Sequence, residues 1–319
     1  MTQLIKKNWF MLGLVCTAIM VVADSSGLLV APGVWLKNHR GPDGVIVLIF
    51  FLSGLALDTR QIKEGLSDVK GTFLALVLIF LISPAIAFLF SFLPMETGVI
   101  VGILLVSAMP TTLSSGVVMT GSAGGNMAHS LLITILANGL AVITIPIALS
   151  LLFGLAGDAR TIEIEQLPIM IKIATLVLLP LFGGMIIRRL FASRLHPFLP
   201  YTSTCNQLGI LAIVWMALCG SRPAIISGLD SIVVVVIAVF SFHLVLVMAA
   251  LFLTSYFKVG KKRRESVIFM GGQKTLPLSV IMQVSLFPEY GIALVVCVIH
   301  HIVHLIMDAY LIKYLREKG

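Results

Sequence analysis

Runs of about twenty apolar residues recur along this chain, and they limit its possible folds more than any other feature. A helix that crosses a bilayer needs about 20 mostly apolar residues, because hydrocarbon offers nothing to bond with exposed backbone groups. Ten segments meet that description. Their bounds are roughly 8–30, 44–57, 71–93, 97–119, 126–154, 168–189, 204–221, 231–256, 265–287 and 290–315, the second being short. Charged residues make up 11% of the 319, against about 25% in a soluble domain. This excludes an ordinary cytosolic enzyme and a disordered chain.

The net charge of +8 has a reading that does not involve nucleic acid. With the N-terminus in the cytoplasm, most basic residues fall on that one side. They are Lys6 and Lys7; Arg60, Lys63 and Lys70; Arg188, Arg189 and Arg194; Lys258 and Lys261 to Arg264; and Lys313, Arg316 and Lys318. The opposite side holds only Lys37, Arg40, Arg160 and Arg222. That asymmetry is the positive-inside signal, and it predicts both termini in the cytoplasm, in a bacterial inner membrane. Lys6 and Lys7 ahead of an apolar run also resemble a cleavable signal peptide, but the repeat described next needs this segment retained. Cys16, Cys205, Cys219 and Cys297 all lie in apolar runs and read as small buried hydrophobes, with no disulfide framework.

Segment starts recur about 160–168 residues apart, spans one, three, four and five matching spans six, eight, nine and ten. Spans four and nine are each interrupted by helix-breaking polar stretches, Met109-Pro110-Thr111-Thr112-Leu113-Ser114-Ser115-Gly116 and Gly271-Gly272-Gln273-Lys274-Thr275-Leu276-Pro277. An odd number of spans per copy turns the second copy upside down. The expected fold is therefore all-α and polytopic: ten transmembrane helices in two inverted five-helix repeats, residues 1–155 and 156–319, with crossed discontinuous helices four and nine. In such transporters the broken helices mark a binding site near the midplane. Freed carbonyls and neutral hydroxyls are hard oxygen donors suited to Na⁺, and freed amides suit an anion.

Other polar residues cluster around these breaks. Asn126, Ser130, Thr134 and Asn138 share one helical face by their four-residue spacing. The bland alternative for this stripe is interhelical hydrogen bonding. Lys274 lies in the middle of span nine, where a charge costs about 2.5–3.5 kcal/mol. Its candidate roles are an anion contact, a stand-in for a coupling cation, or a titrating group; the alternative is a structural ion pair, with Asp308 of span ten the nearest acid by type. Lys172 can snorkel to the interface. His300 and His304 share a face, with His301 beside them. Without a neighbouring carboxylate or cysteine they read as a polar lining or proton relay rather than a metal site. His129 and His243 read as isolated, satisfied groups. No nucleophile elbow, phosphate-binding loop or dinucleotide fingerprint is present, so the expectation is a transporter and not an enzyme, without cofactor, metal or ATP.

Residues 110–116 with Ala123-Gly124-Gly125-Asn126, and Gly272-Gln273-Lys274-Thr275-Leu276, resemble the bile acid:sodium symporter family. More closely, the chain resembles the SBF-like branch of putative sodium/bile-acid cotransporters, which Phe51-Leu52-Ser53-Gly54-Leu55 ahead of Asp58-Thr59 also fits. The resemblance implies a panel and a core domain, crossed broken helices in the core, and bound Na⁺ there. By position, Ser115, Ser130 and Thr134 match hydroxyls of a first sodium site and Gln273 an amide of a second; Asn126 joins the ion set from the stripe. The chain departs from the family where Phe269 replaces a sodium-binding Glu, Lys274 an Asn, and Gly116 an Asn ligand. The resulting expectation is a Na⁺-coupled carrier of an organic anion, bile-acid-like or a small carboxylate. Thr111, Thr112, Ser114, Lys274 and Thr275 are the expected substrate contacts, with Lys274 in the charge role of a coupling cation. The alternatives are a non-coupled anion uniporter or exporter, and a membrane regulator of ion homeostasis without transport of its own.

Overall fold

The computed structural model describes residues 2–57, 68–155 and 165–317, and among them every regular element is helical. Asp58, Thr59, Arg60, Lys63, Arg160 and Lys318 lie outside the described residues. The helices are α1 (Thr2–Ala23), α2 (Val30–Asn38), α3 (Gly41–Ala56), α4 (Val69–Phe90), α5 (Thr97–Ala108), α6 (Ser115–Ser122) and α7 (Met127–Leu155). There follow α8 (Gln166–Leu190), α9 (Leu199–Ser227), α10 (Ile232–Tyr256), α11 (Arg263–Gly272), α12 (Leu276–Leu286) and α13 (Gly291–Glu317). Six of these, α4, α7, α8, α9, α10 and α13, are long and apolar enough to cross a membrane. Their outward faces are apolar too: Val233, Ile237 and Phe240 of α10 are exposed. A chain that is apolar outside as well as inside is an integral membrane protein.

The first apolar run ends earlier than its composition suggests. It stops at Ala23 because Asp24 turns the chain. The Asp24 carboxylate accepts bonds from the Ser26 hydroxyl and from the backbone N–H groups of Ser26, Gly27, Leu29 and Val30. These bonds, led by that of Ser26, hold its carboxyl down at about 2. The short helix α2, which periodicity missed, then lies against α9.

Two of the long helices contain a π turn just before a proline. In α4 the π turn spans Leu78–Ile82 ahead of Pro84; in α8 it spans Ala174–Leu178 ahead of Pro180. Proline has no N–H to give to the turn before it. The ladder adapts by a five-residue step, Ser83 N–H bonding the Leu78 carbonyl and Leu179 N–H that of Ala174. In this register the Ile79 carbonyl would need the N–H of residue 84, which does not exist.

Helices α1, α3, α8 and α9 form one packed group, and α4 to α7 with α10 to α13 another. Within the first group, α3 and α8 approach until backbones touch. A Cβ added to Gly54 would fall 2.1 Å from the Leu181 carbonyl oxygen, and one on Gly184 2.2 Å from that of Phe51. Asn206 of α9 donates to the Ser53 hydroxyl (2.9 Å), tying in α9. Of the cysteines, Cys219 and Cys297 are buried, but Cys16 and Cys205 are exposed and all four are free. Apolar runs in a membrane protein face lipid as well as core, so the expectation that all four are buried fails for two.

Candidate functional site

The site is built where two helices break. Span four divides into α5 and α6, and span nine into α11 and α12. Met109 and Gln273, the residues just past α5 and α11, are both extended, with φ/ψ of −73/149° and −80/147°. Pro110 and Pro277 explain the stops locally, since a residue before proline is driven from helical geometry and proline suits a helix start. The breaks meet backbone to backbone, Thr275 N–H donating to the Pro110 carbonyl (3.0 Å).

Gln273 stitches this crossing together. Its side-chain carbonyl accepts from the hydroxyls of Thr112 (2.8 Å) and Ser115 (2.9 Å). Its amide nitrogen donates to Asp308 Oδ2 (2.7 Å) and contacts Met119 Sδ (2.9 Å). Thr112 Oγ1 in turn accepts the Gly116 N–H. A Cβ on Gly116 would lie 2.7 Å from Met270 Sδ and 3.2 Å from Gln273 Oε1. The space an Asn would need there is filled.

Lys274 is 2% exposed, and its ammonium sits among three backbone carbonyls: Ile79 (2.9 Å), Ser107 (2.8 Å) and Met109 (2.9 Å). Each carbonyl is available for a local reason. Ile79 lost its partner to Pro84, while Ser107 and Met109 lie where α5 ends and the chain leaves the helix. Each charge-assisted bond contributes about 1.5–3 kcal/mol, so three offset an insertion cost of about 2.5–3.5 kcal/mol. All three ammonium protons are committed, which leaves none for a substrate anion in this conformation. No ion pair with Asp308 forms; the alternative of a Lys274–Asp308 bridge is replaced by the carbonyl cage.

The structure divides the remaining residues expected to bind ions. Ser115 and Gln273 touch; Ser130 bonds instead to Thr120 (2.9 Å), and Thr134 to the Ser130 carbonyl (2.9 Å). Ser130, Thr134 and Asn138 are fully buried on one face of α7, as their spacing predicts. Asn126 stands apart, ahead of α7, where its carbonyl oxygen Oδ1 caps the His129 N–H (3.1 Å). The turn carrying it needs Gly124, whose φ of +80° is the left-handed conformation that ends helices. It docks on α11 through Asn126 N–H to the Lys262 carbonyl and Ser266 to the Asn126 carbonyl. Of the residues expected to contact substrate, Thr111, Thr112 and Thr275 are buried at the crossing, Thr111 with an unpartnered hydroxyl, and Ser114 is exposed at the start of α6.

Asp308 and His243 are the functional candidates that sequence reasoning placed least well. Asp308 is 2% exposed and accepts from Gln273 with one oxygen, while its other lies 3.2 Å from His243 Nε2. The signal was available: Asp308 continues the four-residue spacing of His300 and His304. His243 is not isolated; its ring lies 5.8 Å from those of both His300 and His304. His129 is partnered by Thr72 (3.1 Å) at Nε2. Among the described residues no group of three or more His, Cys, Asp or Glu has metal-holding geometry. Five ring nitrogens of the α10–α13 cluster have no partner, at a cost on the order of 1–3 kcal/mol each.

The model of the SBF-like CPA transporter family matches residues 8–317. The probable sodium/metabolite cotransporter BASS4 of Arabidopsis thaliana chloroplasts is 27% identical over 286 residues, 85% of this chain; the match spans 65% of that relative's length. The sodium/bile acid cotransporter 7-B of Xenopus laevis is 25% identical over 329 residues, covering 98% of this chain and 93% of the relative. The sodium/bile acid cotransporter 7 of Danio rerio is 25% identical over 300 residues, 90% and 86% respectively.

Proposed function

The chain belongs to the SBF-like CPA transporter family, and on that premise we propose that it is a secondary active transporter of an organic anion, coupled to Na⁺. It carries the anion by alternating access around the crossing of its two broken helices. The observation that carries this reading is the bridge at the crossing. Gln273 and Thr275 of one break bind Thr112, Ser115 and Pro110 of the other, so any movement of one broken helix is felt by its partner. The names of the relatives support Na⁺ and a small organic substrate.

The packing supports ten spans in two inverted repeats, residues 1–155 and 156–319. Helix α3 lies on α8 as α9 lies on α1, α4 on α5 as α10 on α11, and α13 on α5 as α7 on α11. These contacts exchange under the pairing of the two halves. The group α1, α3, α8, α9 is the panel and the remainder the core. Both termini are cytoplasmic in this reading, in a bacterial inner membrane.

Lys274 is a tethered cation in this scheme. Three carbonyls at 2.8–2.9 Å surrounding one positive charge are what a cation site offers. The lysine fills that site from within the chain, and the resemblance puts Phe269 where the related symporters have a carboxylate. The exchangeable Na⁺ then belongs at the crossing, at the oxygens of Ser115 and Gln273, with Ser130 and Thr134 a separate buried set on α7, and the anion at Thr111, Thr112 and Thr275.

Uptake of labelled taurocholate and labelled pyruvate into proteoliposomes tests the proposal. An inward Na⁺ gradient should accelerate one of them, and Gln273→Ala should reduce that rate about tenfold, the effect of losing about 1.4 kcal/mol. Uptake indifferent to Na⁺ sinks the coupling, and no uptake of either class sinks the reading.

A further inference from the structure

Four imidazoles meet in the interior between α10 and α13. His243 lies on α10; His300, His301 and, about one turn further, His304 lie on α13. Ring centroids are 5.3 Å apart for His300–His304, 4.6 Å for His301–His304, and 5.8 Å from His243 to each of His300 and His304. All four are at most 5% exposed. His243 Nδ1, His300 Nε2, His301 Nδ1 and both nitrogens of His304 lack a hydrogen-bond partner. A neutral imidazole has one N–H and one lone pair. His304, with neither nitrogen bonded, therefore holds a bare lone pair at which an added proton can bond.

We infer that this cluster, together with Asp308, is a proton-binding site that couples the transporter to H⁺. The inference rests on the transport reading for the word "couples", while proton binding stands by itself. A proton from the aqueous side forms an N–H bond at an unpartnered nitrogen, beside the neighbouring rings. It leaves the same nitrogen toward the other side, and no electrons are transferred. Asp308 supplies the compensating negative charge, 3.2 Å from His243. Its second oxygen holds Gln273, so protonation of the cluster acts on the residue that bridges the broken helices.

The charged groups facing the cluster are Asp308 and Lys274, the latter beside His301, which bonds to its backbone. Phe10 of α1 and Phe242 of α10 pack on the rings. Helices α5, α6 and α12 carry no titratable side chain apart from none-ionising hydroxyls and amides. Cys297, one turn away on α13, bonds to Ser279. Arg222 of α9 is turned toward the carbonyls of Val21 and Val22.

Two measurements decide it. Histidine-labelled protein, carrying seven histidines, is titrated by NMR from pH 8 to pH 4. The signals of His300, His301 and His304 should move together as the pH falls, and Asp308→Asn should alter that step. Rings that stay neutral throughout overturn the proposal, and this needs no variant to fold. In proteoliposomes with equal Na⁺ on both sides and zero voltage, a two-unit pH gradient, acid outside, should drive labelled taurocholate or pyruvate toward about 100-fold accumulation at one proton per anion, tenfold per unit. The His300→Gln/His304→Gln pair, or Asp308→Asn where that pair fails to fold, should abolish it. Accumulation unchanged in these variants overturns the coupling. Titrating rings in a protein that moves neither anion under either gradient would uphold the proton site and defeat the transport reading instead.

Discussion

At Lys274 a single side chain meets three carbonyls, one of which, that of Ser107, also accepts from the Ser83 hydroxyl (3.1 Å), and the balance of costs predicts what its removal does. Lys274→Met takes this donor from all three and leaves the Ile79 and Met109 carbonyls without it, at about 1–3 kcal/mol each. The variant should lose about 3–5 kcal/mol of stability, the range for breaking a buried charged contact, seen as a lower unfolding midpoint in detergent. If the cage is a cation site, millimolar Na⁺ should raise the midpoint of Lys274→Ala by more than that of the wild type, whose exchangeable Na⁺ lies elsewhere; an equal response in both contradicts the tethered-cation role. Gly116→Asn is the complementary change. Met270 and Gln273 already occupy the space there, so it should cost about 1–3 kcal/mol by overpacking without strengthening the response to Na⁺.

Among the helices, α3 and α8 meet backbone to backbone at Gly54 and Gly184. Because the obstructing atoms are backbone, the helices must move apart to admit a methyl group. Gly184→Ala should destabilise by about 1–3 kcal/mol, whereas Gly183→Ala, with nothing within 4 Å, should not. At the other end of the panel, the Asp24 turn carries a pH dependence of known sign. Its carboxyl is held at about 2 against an ordinary 3.8. The turn's contribution is therefore present above pH 4 and is lost as pH falls through 2, which hydrogen exchange at Leu29 and Val30 should report. Apolar run length made the long helices legible in the sequence, and clustered Pro, Gly and hydroxyl residues made both breaks legible. The π turns were not, because they arise from how a ladder adjusts ahead of Pro84 and Pro180, with no change in hydropathy. Helix α2 was hidden because Asp24 cuts an apolar run that composition treats as continuous.

Over the whole molecule, the positive-inside pattern predicts which ends face the cytoplasm. A cysteine placed at Lys261 in a cysteine-free background should react with an impermeant maleimide only from the cytoplasmic side, and one at Lys37 only from the opposite side. Labelling of both from one side contradicts the orientation. The site was legible at this scale as two breaks that ought to meet, and Gln273 stands where they do. Its partners were not, since Asp308 lies 35 residues further along the chain and His243 is 65 residues from Asp308. Periodicity along one helix cannot show which faces of two others meet it.

The Lys274 ammonium is covalently fixed, unlike a bound ion. In the proposed cycle it travels with the protein and returns with it, so it adds gating charge but no net current. Moving one charge through the full membrane potential is worth about 2.3 kcal/mol per 100 mV. A carrier with one site filled in this way gives up that much driving force per cycle, and in return its resting state, rather than its stoichiometry, becomes sensitive to voltage.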